Sequence, residues 1–210
     1  MILDYKHILW DWNGTLINDL DLVVAAVNGT LRTRRLPEIS TDTYLSLFDF
    51  PVISFYEKLG FDYSKTSFEA HSEEYHFAYE KGWRACALCD GVATTLKKVQ
   101  ARGITQSILS ASPQWMLETC IDYFNLQSYF NGLVGQQNNL AHGKIETGKQ
   151  WLKQSNLKPE EIVFIGDTLH DHEVAQALGV TCILVATGHH PRRKLEKSGA
   201  TVINSLNELL

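Results

Sequence analysis

Several large protein classes are excluded by what the chain has little of. Four cysteines, Cys86, Cys89, Cys120 and Cys182, are spread over 210 residues, too few for a disulfide framework at this length. Cys86-Ala-Leu-Cys89 has the spacing of half a zinc site, but no second pair follows; these read as packing thiols. No apolar run approaches the roughly 18 residues of a membrane span. The segment Met1–Leu9 contains Asp4 and shows no signal-peptide pattern. The expectation is a cytoplasmic protein without a membrane partner. Basic residues are not in excess: the net charge is −5, which argues against nucleic acid as a partner. The short cluster Arg192-Arg193-Lys194 reads as a solvated helix start. Internal repeats and low-complexity stretches are absent.

What remains is an ordinary globular composition, 44% hydrophobic and 20% charged, enough for one core with a smaller insertion. The organising stretch is Ile8-Leu9-Trp10-Asp11-Trp12-Asn13-Gly14-Thr15-Leu16. An apolar run stops at a carboxylate, turns at a glycine and meets a hydroxyl. This reads as a buried strand, over residues 2–10, handing over through a tight turn to a helix. From 17 to 87 the spacing is helical, as in Leu20, Val23, Val24, Val27 and Leu31, and no strand run stands out. After Asp90-Gly91 the pattern alternates: helix 92–101, strand 104–109, helix 113–124, strand 132–134, a helix after Lys144, strand 161–165, helix 172–178, strand 180–185, helix 191–197 and strand 201–203. Alternation of this kind predicts a doubly wound parallel α/β sheet. The core is then discontinuous, 1–16 with 88–210, and 17–87 forms a helical cap over the site.

Such a sheet brings strand ends to one edge, where ligands bind. Those ends carry Asp11, Ser110, and Asp167 with Asp171, and Lys144 lies in the loop before its helix. Carboxylates collected at one edge repel unless a cation sits between them, and hard oxygen ligands suit Mg²⁺. A hydroxyl and a lysine opposite suit phosphate oxygens. Ser110-Ala111-Ser112, read as opening a helix, also offers backbone N–H groups to an anion. Together these describe a Mg²⁺-dependent phosphoryl-transfer site.

The stretches Asp11-Trp12-Asn13-Gly14-Thr15, Ser110-Ala111-Ser112, Gly143-Lys144 and Gly166-Asp167-Thr168-Leu169-His170-Asp171 resemble, in order, the four motifs of the haloacid dehalogenase-like superfamily. The resemblance spans the whole core. His172-Glu173-Val174-Ala175-Gln176-Ala177-Leu178-Gly179 and Val185-Ala186-Thr187-Gly188 are similar to the phosphoglycolate phosphatase-like branch. It implies a Rossmann-like core and hydrolysis of a small phosphorylated metabolite by a monomer or homodimer. Asp11 would be the nucleophile that forms an aspartyl-phosphate. Asp11, the Asn13 carbonyl, Asp167 and Asp171 would hold Mg²⁺. Ser110 and the Ala111 N–H would bind the phosphoryl group, Lys144 would neutralise charge between it and Asp11, and Thr15 would fix the turn.

One departure matters. The phosphatases of this family usually place a second Asp two residues after the nucleophile as general acid and base; this chain has Asn13. An amide cannot exchange a proton at neutral pH. General acid–base catalysis is worth about 10²–10⁴-fold, or roughly 3–5.5 kcal/mol. The loss is felt most with poor leaving groups. Four readings follow: a weak or specialised phosphatase, with solvent or a cap residue (His71, Glu74 or His76) supplying a proton; phosphonate cleavage through a cap lysine, Lys58 or Lys65; a phosphate- and metal-binding regulatory protein without turnover; or deamidation at Asn13-Gly14. Dehalogenation and mutase chemistry are disfavoured. Phe48, Phe50, Tyr75, His76 and Arg84 are the cap residues suggested to face substrate.

Overall fold

The computed structural model describes residues 2–137 and 143–210. In chain order the elements are β1 (His7–Trp10), β2 (Ile17–Asn18), α1 (Leu20–Thr33), α2 (Thr41–Leu47), α3 (Val52–Lys58), α4 (Phe68–Gly82), β3 (Ala87–Leu88), α5 (Val92–Ala101), β4 (Thr105–Pro113), α6 (Gln114–Tyr123), β5 (Gly132–Gln136), α7 (Lys144–Ser155), β6 (Ile162–Gly166), α8 (Leu169–Leu178), β7 (Thr181–Val185), α9 (Arg192–Leu195) and β8 (Thr201–Ile203). Six parallel strands form one sheet in the order β5-β4-β1-β6-β7-β8. The expected doubly wound α/β architecture is thus observed.

β1 lies between β4 and β6, with Trp10 level with Ile108 on one side and Ile165 on the other. All four of its residues are buried, which is why its sequence is a continuous apolar run. Its side chains still alternate: Ile8 and Trp10 join one apolar cluster and Leu9 the other. The first cluster takes Leu96 and Val99 of α5 and Met116, Leu117 and Cys120 of α6. The second takes Val174, Ala175 and Leu178 of α8. The chain leaves β1 for β4 on one side and later returns to β6 on the other. That reversal opens a crevice at the carboxyl ends of β1, β4 and β6.

Two elements differ from the sequence reading. The segment 17–87 is not wholly helical: β2 and β3 pair antiparallel, Ile17 with Leu88 and Asn18 with Ala87. Strands of two residues are too short to show a period. The residues Ser110-Ala111-Ser112 belong to the end of β4, where the pairing with β5 is irregular between Leu109 and Pro113; the helix starts only at Gln114. A Ser-x-Ser-Pro sequence looks like a cap, but here the chain stays extended for one more turn's length. The basic cluster also has partners: Arg192 pairs with Glu196, and Lys194 Nζ lies 3.0 Å from Asp49 and donates to the Phe48 carbonyl at 2.6 Å. All four cysteines are free, and burial pushes the Cys89 thiol up to about 12, which suits packing.

Two histidines are built into the interior as neutral rings. His71 is fully buried, stacks on Phe61 and hydrogen-bonds the Tyr63 hydroxyl at 2.9 Å. His7 bonds Thr105 Oγ1 at 2.7 Å. Burial lowers both pKa values to about 4. The unfolded chain, titrating near 6.5, therefore binds more protons than the folded one between pH 6.5 and about 4, and each ring costs stability as pH falls through that window. His71→Phe removes one such term. The melting temperature of His71→Phe relative to the parent, both in Mg²⁺, is expected to rise steadily from pH 7 to pH 4.5; a pH-independent difference would contradict the assignment.

Candidate active site

Asp11 follows β1 directly and its N–H donates to the Ile165 carbonyl at 2.8 Å, so the carboxylate is fixed at the sheet edge. Lys144, the first residue of α7, is buried and donates to Asp11 Oδ1 and to Asp171 Oδ1, each at 2.6 Å. Asp171 is set by the start of α8. Thr168 Oγ1 caps the helix by accepting the Asp171 N–H, and Asp171 Oδ2 accepts from the Thr168 N–H at 2.9 Å and hydroxyl at 2.7 Å. Asp167 is fully buried between Thr15 Oγ1, which donates to it at 2.9 Å, and the His189 N–H at 2.6 Å. One oxygen each from Asp11, Asp167 and Asp171 lies within 4.8 Å of the others.

Burial raises the Asp11 pKa well above the usual carboxylate range; Lys144 pulls it back, and Asp171 and Asp167 push it further up. Burial also raises Asp167, to about 6, with His189 opposing and Asp171 adding to the rise. For Asp171 burial is outweighed by Lys144 and Thr168, and its pKa is lowered. Of the three buried carboxylates, Asp11 and Asp171 share Lys144, and Asp167 has, among the described residues, only the Thr15 hydroxyl and the His189 N–H as hydrogen-bond donors. An all-oxygen donor set with uncompensated negative charge fits a hard divalent cation.

Asn13 is held on all sides. Its Nδ2 donates to Asp19 Oδ2 at 2.7 Å and to the Tyr79 hydroxyl at 2.9 Å, and its Oδ1 accepts from Ser112 Oγ at 2.7 Å. Asp19 is the hub of this network. It also accepts from the Tyr79 hydroxyl at 2.8 Å and the Gly14 N–H at 3.0 Å, and its Oδ1 lies 3.3 Å from His189 Nε2. Burial would raise Asp19, but the hydrogen bond and charge of His189, with Asn13 and Tyr79, hold it low. Burial would likewise lower His189, but the same pairing holds it up at about 9.

The sequence-predicted residues divide. Asp11, Asn13, Lys144, Ala111 and Asp171 line one cleft. Thr15 and Asp167 lie behind it, hydrogen-bonded to each other. Ser110 is buried, its Oγ accepting the Ser112 N–H at 3.0 Å; it is Ser112 that lines the cleft. Phe48, Phe50, Tyr75 and His76 line the cleft, and Arg84 does not: its guanidinium lies over the Trp83 ring. Of the proton donors suggested, His71 is buried among rings and Glu74 pairs with Arg34. Lys58 and Lys65 are exposed and outside the cleft, Lys65 beside Asp62. Asp19, Tyr79 and His189 carry no sequence signal, and Ser112 enters the sequence reading only as part of the Ser110-Ala111-Ser112 stretch. Asp19 precedes a helix as an ordinary cap does, yet its side chain makes no cap bond and turns back to the loop.

Gly14 is the tightest point of the loop. Its φ is +71°, and a Cβ would overlap the Asp167 carboxylate and the His189 ring. Gly14→Ala is expected to cost about 1–3 kcal/mol from backbone strain alone and to weaken cation binding by displacing Asp167. Melting with and without Mg²⁺ checks both; a variant with parental stability and the same Mg²⁺-dependent shift would contradict the packing described.

A family model for haloacid dehalogenase-like hydrolases matches residues 8–185, which includes every carboxylate of the cleft. The chain belongs to the haloacid dehalogenase-like hydrolase family. Phosphoglycolate phosphatase 1 of Pseudomonas aeruginosa is 24% identical over 216 residues, covering 98% of this chain and 78% of that protein. Tyrosine-protein kinase PtkA of Mycobacterium tuberculosis is 21% identical over 198 residues, covering 93% of this chain and 67% of its own. Among solved structures, a haloacid dehalogenase-like family hydrolase from Streptococcus pneumoniae has the same fold, with a TM-score of 0.86 at 19% identity over 98% of this chain and 97% of that one. Among the described residues no helix is long and apolar enough to cross a membrane.

Proposed function

We propose that this haloacid dehalogenase-like hydrolase is a Mg²⁺-dependent phosphomonoesterase working through an aspartyl-phosphate on Asp11. The observation that carries the reading is the Asp11–Lys144–Asp171 chain of 2.6 Å contacts at the sheet edge, with Asp167 beside it. Residues 1–16 and 88–210 act as the catalytic core, and 17–87 as a cap closing the cleft.

Asp11 attacks the phosphorus, the bond from phosphorus to the ester oxygen breaks, and that oxygen leaves with the electron pair. Water then attacks the phosphorus of the aspartyl-phosphate and releases inorganic phosphate and the Asp11 carboxylate. Lys144 holds one Asp11 oxygen in place and neutralises charge as the phosphoryl group approaches. Asp11, Asp167, the Asn13 carbonyl and Asp171, directly or through water, would hold Mg²⁺, which supplies charge neutralisation at the phosphoryl oxygens. Ser110, Ala111 and Ser112 close the β4 side of the site. Asn13 orients rather than donates, because its amide hydrogens are committed to Asp19 and Tyr79. The exposed positions of Lys58 and Lys65 give an imine-forming phosphonatase no lysine to use.

The test is release of inorganic phosphate from a panel of small phosphate esters, with Mg²⁺ and with chelator. Turnover that needs Mg²⁺ is the expected result. Mg²⁺ and phosphonate binding without turnover of any ester would overturn hydrolysis and leave a binding protein.

A further inference from the structure

We propose that the substrate's leaving group is a small uncharged ring attached through a phenol-type oxygen, so that the site takes aryl phosphates in preference to phosphorylated acids, sugars or nucleotides. This rests on the phosphomonoesterase reading and names its substrate class.

The walls beyond the phosphoryl end are apolar. Between α1 and α4, Val27, Phe48, Phe55, Tyr56, Phe68 and Tyr75 are among the lining residues. The rings brace one another: Phe48 lies 4.9 Å from Tyr44 and 5.4 Å from Phe55, centroid to centroid. Among the described residues the insertion contributes Ser72, His76 and tyrosine hydroxyls to the lining, and no lysine or arginine. The cations of the core side are already engaged. Lys144 spans Asp11 and Asp171, and His189 has Asp19 at Nε2 and the Tyr44 hydroxyl at Nδ1. A second anion on the substrate would find hydroxyls and the His76 ring among the hydrocarbon but no lysine or arginine of the insertion to pair its charge, and burying an unpaired carboxylate is costly. The whole cleft, its phosphoryl end included, holds about 150 Å³, so the leaving group it takes is small.

Asn13 points the same way independently. With no proton offered to the leaving oxygen, departure depends on the stability of the anion. A phenol ionises near pH 10, as tyrosine does, whereas an alkanol resembles water, near 15.7. Among esters of phenols and alcohols the aryl ester is the class for which the missing acid matters least, and its ring is what the aromatic wall accommodates.

The experiment compares phenyl phosphate, ethyl phosphate, acetyl phosphate and phosphoglycolate as substrates of the Mg²⁺-loaded protein. Benzylphosphonate and 3-phosphonopropionate are bound calorimetrically in parallel, so that affinity is read without turnover. The expected result is a kcat/KM for phenyl phosphate at least 100-fold above ethyl phosphate and phosphoglycolate, and benzylphosphonate affinity at least tenfold above 3-phosphonopropionate. Phe48→Lys should narrow or reverse the second ratio; if it fails to fold, the parent's ratios decide alone. Phosphoglycolate or acetyl phosphate turned over as well as phenyl phosphate, or 3-phosphonopropionate bound as tightly as benzylphosphonate, overturns the ring assignment and leaves the phosphomonoesterase. No turnover and no phosphonate binding overturns that reading and this one with it.

Discussion

Asp11→Asn is expected to lower turnover of every phosphate ester by at least about 10⁴-fold, the scale on which loss of a nucleophile is felt, while leaving the protein folded. The amide is nearly isosteric, and its oxygen can still accept from Lys144, so the 2.6 Å contact keeps an acceptor. On the proposed mechanism, what is lost is the oxygen that attacks phosphorus. The stability effect has the opposite sign. Asp11 is buried with two other carboxylates, and its pKa is raised well above the usual range; its ionised form is therefore unfavourable in the folded state at neutral pH. Without divalent cation, Asp11→Asn should melt no lower than the parent and is expected to melt higher. With Mg²⁺ the order should reverse if Asp11 is a ligand of the cation, as proposed. Steady-state phosphate release and paired melting curves check the prediction. Activity retained within tenfold would remove Asp11 as nucleophile.

The elements legible in the sequence were those whose signal is local. β1 reads from an apolar run that ends at a carboxylate, and α8 from the stretch 172–178 before Gly179, although the helix starts three residues earlier, at Leu169, on a Thr168 cap. Asp11, Asp167, Asp171 and Lys144 could be gathered on paper because parallel strands put their ends at one edge, whatever the side-chain detail. The Asp19 network could not. Tyr79 lies 60 residues from Asp19 and Tyr44 lies 145 from His189, and nothing local to either residue encodes the pairing. Ser110 and Ser112 show the same limit at short range. Both precede Pro113, and only the irregular pairing at the end of β4 decides which hydroxyl reaches the cleft. In the insertion, Arg84 is expected from the sequence to face substrate, but it lies over Trp83. The aromatic residues that do line the cleft are also core residues by spacing, so periodicity alone cannot separate the two roles.

That network changes what the substitution at position 13 means. An Asn in place of an acid–base Asp reads, in sequence, as a lost function that one mutation restores. In the structure the amide is part of the frame. Its Nδ2 sits 2.7 Å from Asp19 Oδ2, so Asn13→Asp would set a half-buried carboxylate against the buried one of Asp19. Such a pair cannot both ionise without large cost, and a hydrogen bond to a charged group, worth about 1.5–3 kcal/mol, is lost as well. Asn13→Asp alone is therefore expected to lower stability by about 1.5–3 kcal/mol and to improve ethyl phosphate hydrolysis little. Asn13→Asp with Asp19→Asn exchanges the amide and the carboxylate. The hydrogen bond between the two positions is kept with its direction reversed, and the charge of the site is unchanged. An amide oxygen at position 19 can still accept from the Gly14 N–H and from His189. This double variant is expected to recover most of the stability and to raise ethyl phosphate turnover by about 10²-fold or more, the lower end of what general acid–base catalysis supplies. Urea unfolding and ethyl phosphate kinetics on the parent, both single variants and the double variant close the cycle. A single Asn13→Asp that gains 100-fold without losing stability would show that Asp19 does not dictate the amide. A coupling of the expected sign would mean that position 13 and position 19 are set together, and that the chemistry of the leaving group follows from the pair.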